Sequence, residues 1–304
     1  FDFMKLLITG ATGGIGRRIV DLAKNNYKIN FLTTKKNKLN SIKSAKGFFW
    51  DPNKNFIDKK CFEGVDTIIH LSGEKISKIW TENTKIKLYD SRILTAKFLY
   101  NSLRDLKPRH KIRSFISASA IGIYKPDSEI IHIEKNKINP SNFLQNLVFD
   151  WERSSSSFKK LGIRVVNLRI GLVFYNGGFL KTIKPFGKLG ILSSFGSGKQ
   201  GQSWIHIDDL AQIFLFSIEN KLEGIYNAVS PNPVNQNQMM KLISKILKRP
   251  YLFPNISEYI LKLFLGEMSQ IMISSHWVSC DKILKKGYVF IFPEIDHALK
   301  DILS

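Results

Sequence analysis

The chain has 304 residues, 43% of them hydrophobic and 23% charged, with 46 Lys plus Arg against 25 Asp plus Glu and a net charge of +21. That length can bury one large α/β domain or a domain with a smaller lobe, and the composition is that of a globular protein. The only two cysteines, Cys61 and Cys280, are far apart and outside any CxxC pattern, which excludes a disulfide framework or a zinc ribbon and suits a reducing compartment.

The basic excess is dispersed through segments such as "KKNKLNSIKSAK" and "IEKNKINPSNF". With no zinc-finger spacing, aromatic RNA-binding signature or basic tail, it reads as lysine decorating solvated faces, and no nucleic-acid partner is expected.

In chain order, "KLLIT" is a strand and "GRRIVDLAKNN" a helix, followed by the strand "KINFLTT". "VDTIIHLSG" precedes the long helical stretch "TENTKIKLYDSRILTAKFLYNSLRDL". "RSFISASAIGIY" precedes "NFLQNLVFDWERSSSSFKKLG", and "IRVVNLRIGLVF" closes the series. Continuous apolar strands alternating with helices predict a doubly wound parallel sheet covered on both faces. We place this domain at residues 1–174, also receiving part of 200–230. Residues 175–304 form a smaller C-terminal substrate-binding lobe with its own terminal helical segment. The first strand is expected to start almost at once, and no signal peptide is expected. "YILKLFLGEMSQIMI" carries Lys262 and Glu267 and reads as an amphipathic or buried helix, not a span. A cytoplasmic protein with no membrane partner is expected.

Thr9, Gly10, Ala11, Thr12, Gly13, Gly14, Ile15 and Gly16 form the strand-to-helix turn T-G-x-x-G-x-x-G. The first glycine permits the tight turn. The second lets backbone approach a pyrophosphate, and the third lets helix pack on strand, with the helix N-terminus facing the phosphates. After the second strand, where NAD enzymes place an acid for the ribose 2′-OH, this chain has Thr33, Thr34, Lys35 and Lys36. Hydroxyls and cations suit a 2′-phosphate, so NADP(H) is expected over NAD(H).

With "ITGATGGIG", "FFWDP", "VDTIIHLSGE", "YDSR", "FISASAIGIY", "FDWE", "LRIGLVF" and "GSGKQGQSWIHIDDL" kept in order, the chain resembles an extended short-chain dehydrogenase/reductase. More narrowly, it is similar to the YfcH-like epimerase family, an atypical branch of that superfamily. The resemblance implies a Rossmann-type domain binding NADP(H), and a small polar substrate, for which nucleotide sugars are candidates. It also leaves a homodimer open. It sets His70, Leu71, Ser72 and Gly73 beside the cofactor's ribose and nicotinamide, and Asp51 beside its adenine, unless Asp51 merely forms the turn before Pro52. Ser117, Arg169 and Gly171 fall at the nicotinamide side. Arg92 either contacts the cofactor or clamps an anionic group. Glu74, Gln200, Trp204 and His206 are candidate substrate contacts, although His206 equally suits a structural anchor, with Asp208 or Asp209 capping the following helix.

The chemistry departs from the superfamily. The usual proton donor is a Tyr with a Lys four residues later, the Lys lowering the tyrosine pKa. The corresponding positions here are Leu144 and Val148, and no tyrosine in the chain has a lysine four residues on. Ser119 is the first candidate for the reacting oxygen, with Tyr124 as either a substrate contact or an aromatic lid, and Asp150 and Glu152 as candidate acids that equally suit packing or surface roles. Two functions therefore stand open: an oxidoreductase or epimerase with a relocated acid–base group, and a sensor or scaffold that binds NADP(H) without turnover.

Overall fold

The structure is a computed structural model that describes residues 3–106 and 110–304. Its main sheet contains β1 (Lys5–Thr9), β2 (Lys28–Thr33), β3 (Lys46–Asp51), β4 (Phe56–Ile57), β5 (Thr67–His70), β6 (Ser114–Ala120), β7 (Arg164–Ile170) and β8 (Gly224–Ala228). Their order is β8–β7–β6–β5–β1–β2–β3–β4, parallel throughout except for the β3–β4 pair. The order reverses between β1 and β5, which puts the carboxyl ends of those strands, Thr9 opposite His70, at the crevice where open α/β sheets bind ligands.

Alternation along each strand explains why helices cover both faces. Leu6 and Ile8 of β1 join a core with Ile19, Val20 and Ala23 of α1 (Gly14–Ala23). Between them Leu7 points to the opposite core, with Leu99 and Leu103 of α3 (Thr95–Arg104). The helix α2 (Glu82–Tyr89) runs into α3 through one wide π turn at Asp90–Leu94, and α4 (Phe143–Ser156) follows β6. All four residues of β5 are fully buried, as expected for a central parallel strand covered on both sides.

The lobe has a separate core: Leu180 and Ile183 of α5 (Gly178–Lys188), Met239, Met240 and Ile243 of α7 (Gln236–Ile246), and Ala298 and Leu299 of the C-terminal helix Ile295–Leu303. Part of the chain beyond residue 174 returns to the sheet. The helix α6 (Ile207–Glu219) returns to pack beside α1, and β8 extends the sheet at its far edge. Arg18 of α1 makes a two-pronged ion pair with Asp208, at 2.6 and 2.7 Å, and Tyr27 reaches Glu219 at 3.0 Å. Among the described residues, no helix is long and apolar enough to cross a membrane.

Candidate functional site

The glycine turn is a surface where side chains have no room. Gly10 has φ +71°, and a Cβ there would lie 2.8 Å from the Leu71 carbonyl oxygen. A Cβ on Gly16 would meet the Gly10 carbonyl oxygen at 2.5 Å, so helix and turn touch backbone to backbone. Gly13 is the N-cap of α1 without a side-chain cap, its N–H turned back to Gly10 O at 3.0 Å. The following N–H groups of the first helical turn are the kind that an anion satisfies. Ala11 is buried, while Thr12 offers its carbonyl to Arg17 Nε at 3.3 Å and Ile15 packs against the core.

Thr9 supports the cradle from below. Its hydroxyl accepts the N–H groups of Leu71 and Ser72, both at 3.1 Å, so its own proton goes to His70 Nδ1 at 2.9 Å. The His70 proton is thereby placed on Nε2, 3.5 Å from Thr95 Oγ1. Burial holds this imidazole neutral, with its pKa pushed down to about 4. Thr9 and His70 are therefore wholly interior, and they fix the Leu71–Gly73 loop against the turn.

Arg92, in the π turn, grips that loop from its other side. It donates to Glu74 O at 2.9 Å and Leu88 O at 3.1 Å, and it lies 5.1 Å from the Trp151 ring. Among the described residues no carboxylate lies within 4 Å of it, and burial lowers its pKa. Glu74 turns instead to Lys78 at 2.8 Å, which lowers its pKa.

At the end of β2, Thr33 Oγ1 accepts the Lys35 N–H at 3.2 Å, leaving Lys35 and Lys36 exposed just beyond Thr34. Lys36 Nζ sits 5.4 Å above the Phe49 ring, at a basin of about 860 Å³ that Asp51, Lys54, Phe56 and Lys59 also line. Asp51 accepts the Asn53 N–H at 3.2 Å, so it does form the turn before Pro52, while still facing this basin.

The acid–base end is constructed differently. Ser119 Oγ donates to Glu152 Oε1 at 2.7 Å, and Arg169 clasps the same carboxylate through Nε at 2.8 Å and Nη2 at 2.9 Å. Arg169 Nη1 also donates to the Tyr124 hydroxyl at 3.0 Å, and that hydroxyl donates to Asn227 Oδ1 at 2.7 Å. The Tyr124 ring stacks on His132 at 4.8 Å. Every member of the chain is buried, Arg169 to 2% exposure and Tyr124 to 1%. Burial opposes the Arg169 charge, but Glu152 overcomes it and the Arg169 pKa ends above its ordinary value. Burial likewise raises the Tyr124 pKa against the pull of Arg169, the opposite of an activated phenol. The Tyr124 hydroxyl is thus engaged by Arg169 and Asn227 in the interior.

Of the two candidate acids, Glu152 is the one in this network; 144, 148 and 152 share one face of α4, so the polar function stands one turn beyond the apolar pair. Leu144 itself packs over Gly122, where a Cβ would meet it at 2.9 Å. Ser117 is buried, its hydroxyl donating to Ala118 O, and a Cβ on Gly171 would lie 2.3 Å from Ser203 O.

The lobe residues anchor structure. Trp204 is fully buried, stacked on Phe174 and donating to Asn232 O at 2.9 Å. Gln200 gives its amide N–H groups to Phe195 O, Gln236 Oε1 and Met272 O. His206, not an aspartate, caps α6 by accepting the Asp208 N–H at 3.2 Å; its Nε2 lies 3.3 Å from Asp301. Asp208 is drawn off to Arg18. Asp209, also expected as a cap, instead accepts Ile291 N, Phe292 N and the Tyr288 hydroxyl. Tyr175, unanticipated from sequence, lies against the glycine turn: a Cβ on Gly14 would be 2.5 Å from its ring. The lobe thereby reaches the cradle.

Residues 6–228 match the model of the NAD dependent epimerase/dehydratase family, and residues 256–302 match a domain of unknown function, DUF1731. Two curated Staphylococcus aureus proteins called epimerase family proteins, from strains MRSA252 and N315, are 32% and 33% identical over 302 residues, covering 98% of both chains in each case. Among solved structures, human epimerase family protein SDR39U1 (isoform 2), solved with NADPH, superposes with a TM-score of 0.84 at 23% identity over 99% of both chains. A nucleoside-diphosphate sugar epimerase from Corynebacterium glutamicum gives 0.78 at 25%, over 99% of this chain and 58% of that one.

Proposed function

Because the chain belongs to the NAD-dependent epimerase/dehydratase family, in its YfcH-like branch, we propose that it binds NADP(H) at the glycine turn and acts as an oxidoreductase on a small polar substrate. The observation that carries this reading is the cradle at Gly10–Gly16, where backbone replaces side chains at the sheet's switch point. Its shape fits a pyrophosphate on the N-terminus of α1. Lys35 and Lys36 would take a ribose 2′-phosphate in a charge-assisted contact, and the basin at Phe49 and Asp51 would take the adenosine. Thr9, His70 and Arg92 keep the Leu71–Gly73 loop in place along the ribose.

When bound, NADP(H) supplies a hydride. The chain must then handle a proton at the substrate oxygen. Ser119, at the carboxyl end of β6, is the hydroxyl we assign to orient that oxygen, with Glu152 accepting its hydrogen bond and Arg169 clasping the Glu152 carboxylate. The apolar pair Leu144 and Val148 favours a second reading, in which the protein senses or scaffolds with NADP(H) and performs no turnover.

Calorimetric titration with NADPH and NADH, followed by deuteride exchange against a sugar-nucleotide and small-carbonyl panel, separates these readings. Tighter NADPH binding with exchange supports the enzyme. Binding without exchange on any substrate supports the sensor. Failure of both dinucleotides to bind at micromolar levels overturns both.

A further inference from the structure

We propose that one face of the C-terminal lobe docks on an anionic lipid surface, with α8 (Glu258–Leu265) lying in the plane of the headgroups. The expectation of no membrane partner came from the absence of a spanning segment, and surface docking needs none.

Charge on this face is segregated. Residues 176–199 contain four lysines and no Asp or Glu; residues 237–257 contain three lysines, one arginine and no Asp or Glu. The fold sets the two segments side by side. Ile256 N donates to Ser194 O at 2.8 Å and Gly196 N donates to Ile256 O at 2.8 Å, and a Cβ on Gly190 would lie 3.9 Å from Arg249 Cβ. The nearest acids on α8 and just after it are occupied: Glu258 by Lys262 at 3.5 Å, and Glu267 by Lys85 at 3.0 Å.

On the same face, large apolar side chains are left uncovered. Leu189 is 72% exposed, Leu252 79%, Tyr259 76%, Leu263 67% and Phe264 71%. In α8, whose sequence is EYILKLFL, only Leu261 is buried. Exposed apolar surface of this extent beside basic segments marks an interaction site. Its basic surroundings select the occupant. A second copy of the chain would bring the same positive face and repel it. Nucleic acid would satisfy the lysines and could stack on Tyr259 and Phe264, but it would leave Leu189, Leu252 and Leu263 against polar backbone, since aliphatic side chains offer bases no stacking platform. An anionic bilayer satisfies both parts, with lysines at the phosphates and leucines and aromatics at the acyl boundary.

The test is co-sedimentation of the full chain with vesicles of phosphatidylcholine alone and of phosphatidylcholine containing phosphatidylglycerol. Binding is expected only to the second, and raising salt to about 0.5 M should release it. The variant Leu263→Glu/Phe264→Glu should weaken binding at least about tenfold while thermal unfolding and NADPH titration stay unchanged. Lys188→Glu/Arg249→Glu should abolish the preference for phosphatidylglycerol. Equal binding to both vesicles, no binding to either, or loss of exposure through concentration-dependent self-association in sedimentation velocity would overturn the proposal. The unchanged NADPH titration keeps this result separate from the fate of the cofactor reading.

Discussion

The two ends of the candidate site follow opposite rules. At the glycine turn, side chains are absent where a ligand would sit, and polar groups such as Thr9 and Arg92 are spent on positioning backbone. At the acid–base end, the chain from Ser119 through Glu152, Arg169 and Tyr124 to Asn227 is closed on itself, each polar group already holding a protein partner. A cradle of bare backbone suits an anionic ligand, because the first-turn N–H groups have no partner within the helix. A closed network is specific for structure, and it becomes chemistry only if a substrate displaces one of its bonds. That difference is why binding is legible here more readily than turnover.

The comparison can be broken most forcefully at Arg169. Removing one partner of a buried pair leaves an uncompensated charge, so Arg169→Leu should cost about 3–5 kcal/mol in urea unfolding. Replacing both, Arg169→Leu with Glu152→Leu, should recover part of that loss. A cost below about 1 kcal/mol for the single variant would show that the pair is not the closed core described. At the other end, Gly10→Val imposes both a disallowed backbone and a clash with Leu71, and NADPH affinity should fall at least about a hundredfold, or ~2.7 kcal/mol, in calorimetry. Lys35→Ala/Lys36→Ala removes charge without touching the cradle. NADPH should weaken by about tenfold to a hundredfold, in the range of charge-assisted bonds, while NADH changes little. Equal loss for both cofactors would remove the 2′-phosphate assignment.

Acid should probe the buried histidines. His70 and His276 have pKa values pushed down to about 4 by burial, against an ordinary value of 6.5. Their neutral forms are favoured by the fold, so their contribution is full above pH 6.5 and is lost as pH falls from 6.5 through 4, when the unfolded chain takes up the protons first. Unfolding followed across that window should show falling stability, and His70→Gln should flatten the slope. The smallest effect is expected at Asp208→Asn. This pair with Arg18 is partly exposed, and about 0.5–1 kcal/mol should be lost in thermal unfolding.

The sequence by itself determined the alternation of strands and helices, the position of the glycine turn and the absence of Tyr and Lys at 144 and 148, because these are local patterns of hydrophobicity, backbone freedom and residue type. Only the tertiary structure decided which polar groups meet. Glu152 and Arg169 are 17 positions apart on different elements, and Asp209 holds a segment more than 80 residues later. His206 caps α6 from the position just before its first residue, while Asp208, inside the first turn, pairs with Arg18, 190 residues earlier. Such pairings are settled by burial, which penalises any unmet charge or hydrogen bond and so forces each group to the partner that the packed helices bring within reach. A residue's type can be read along the chain, whereas its partner exists only once the sheet has closed.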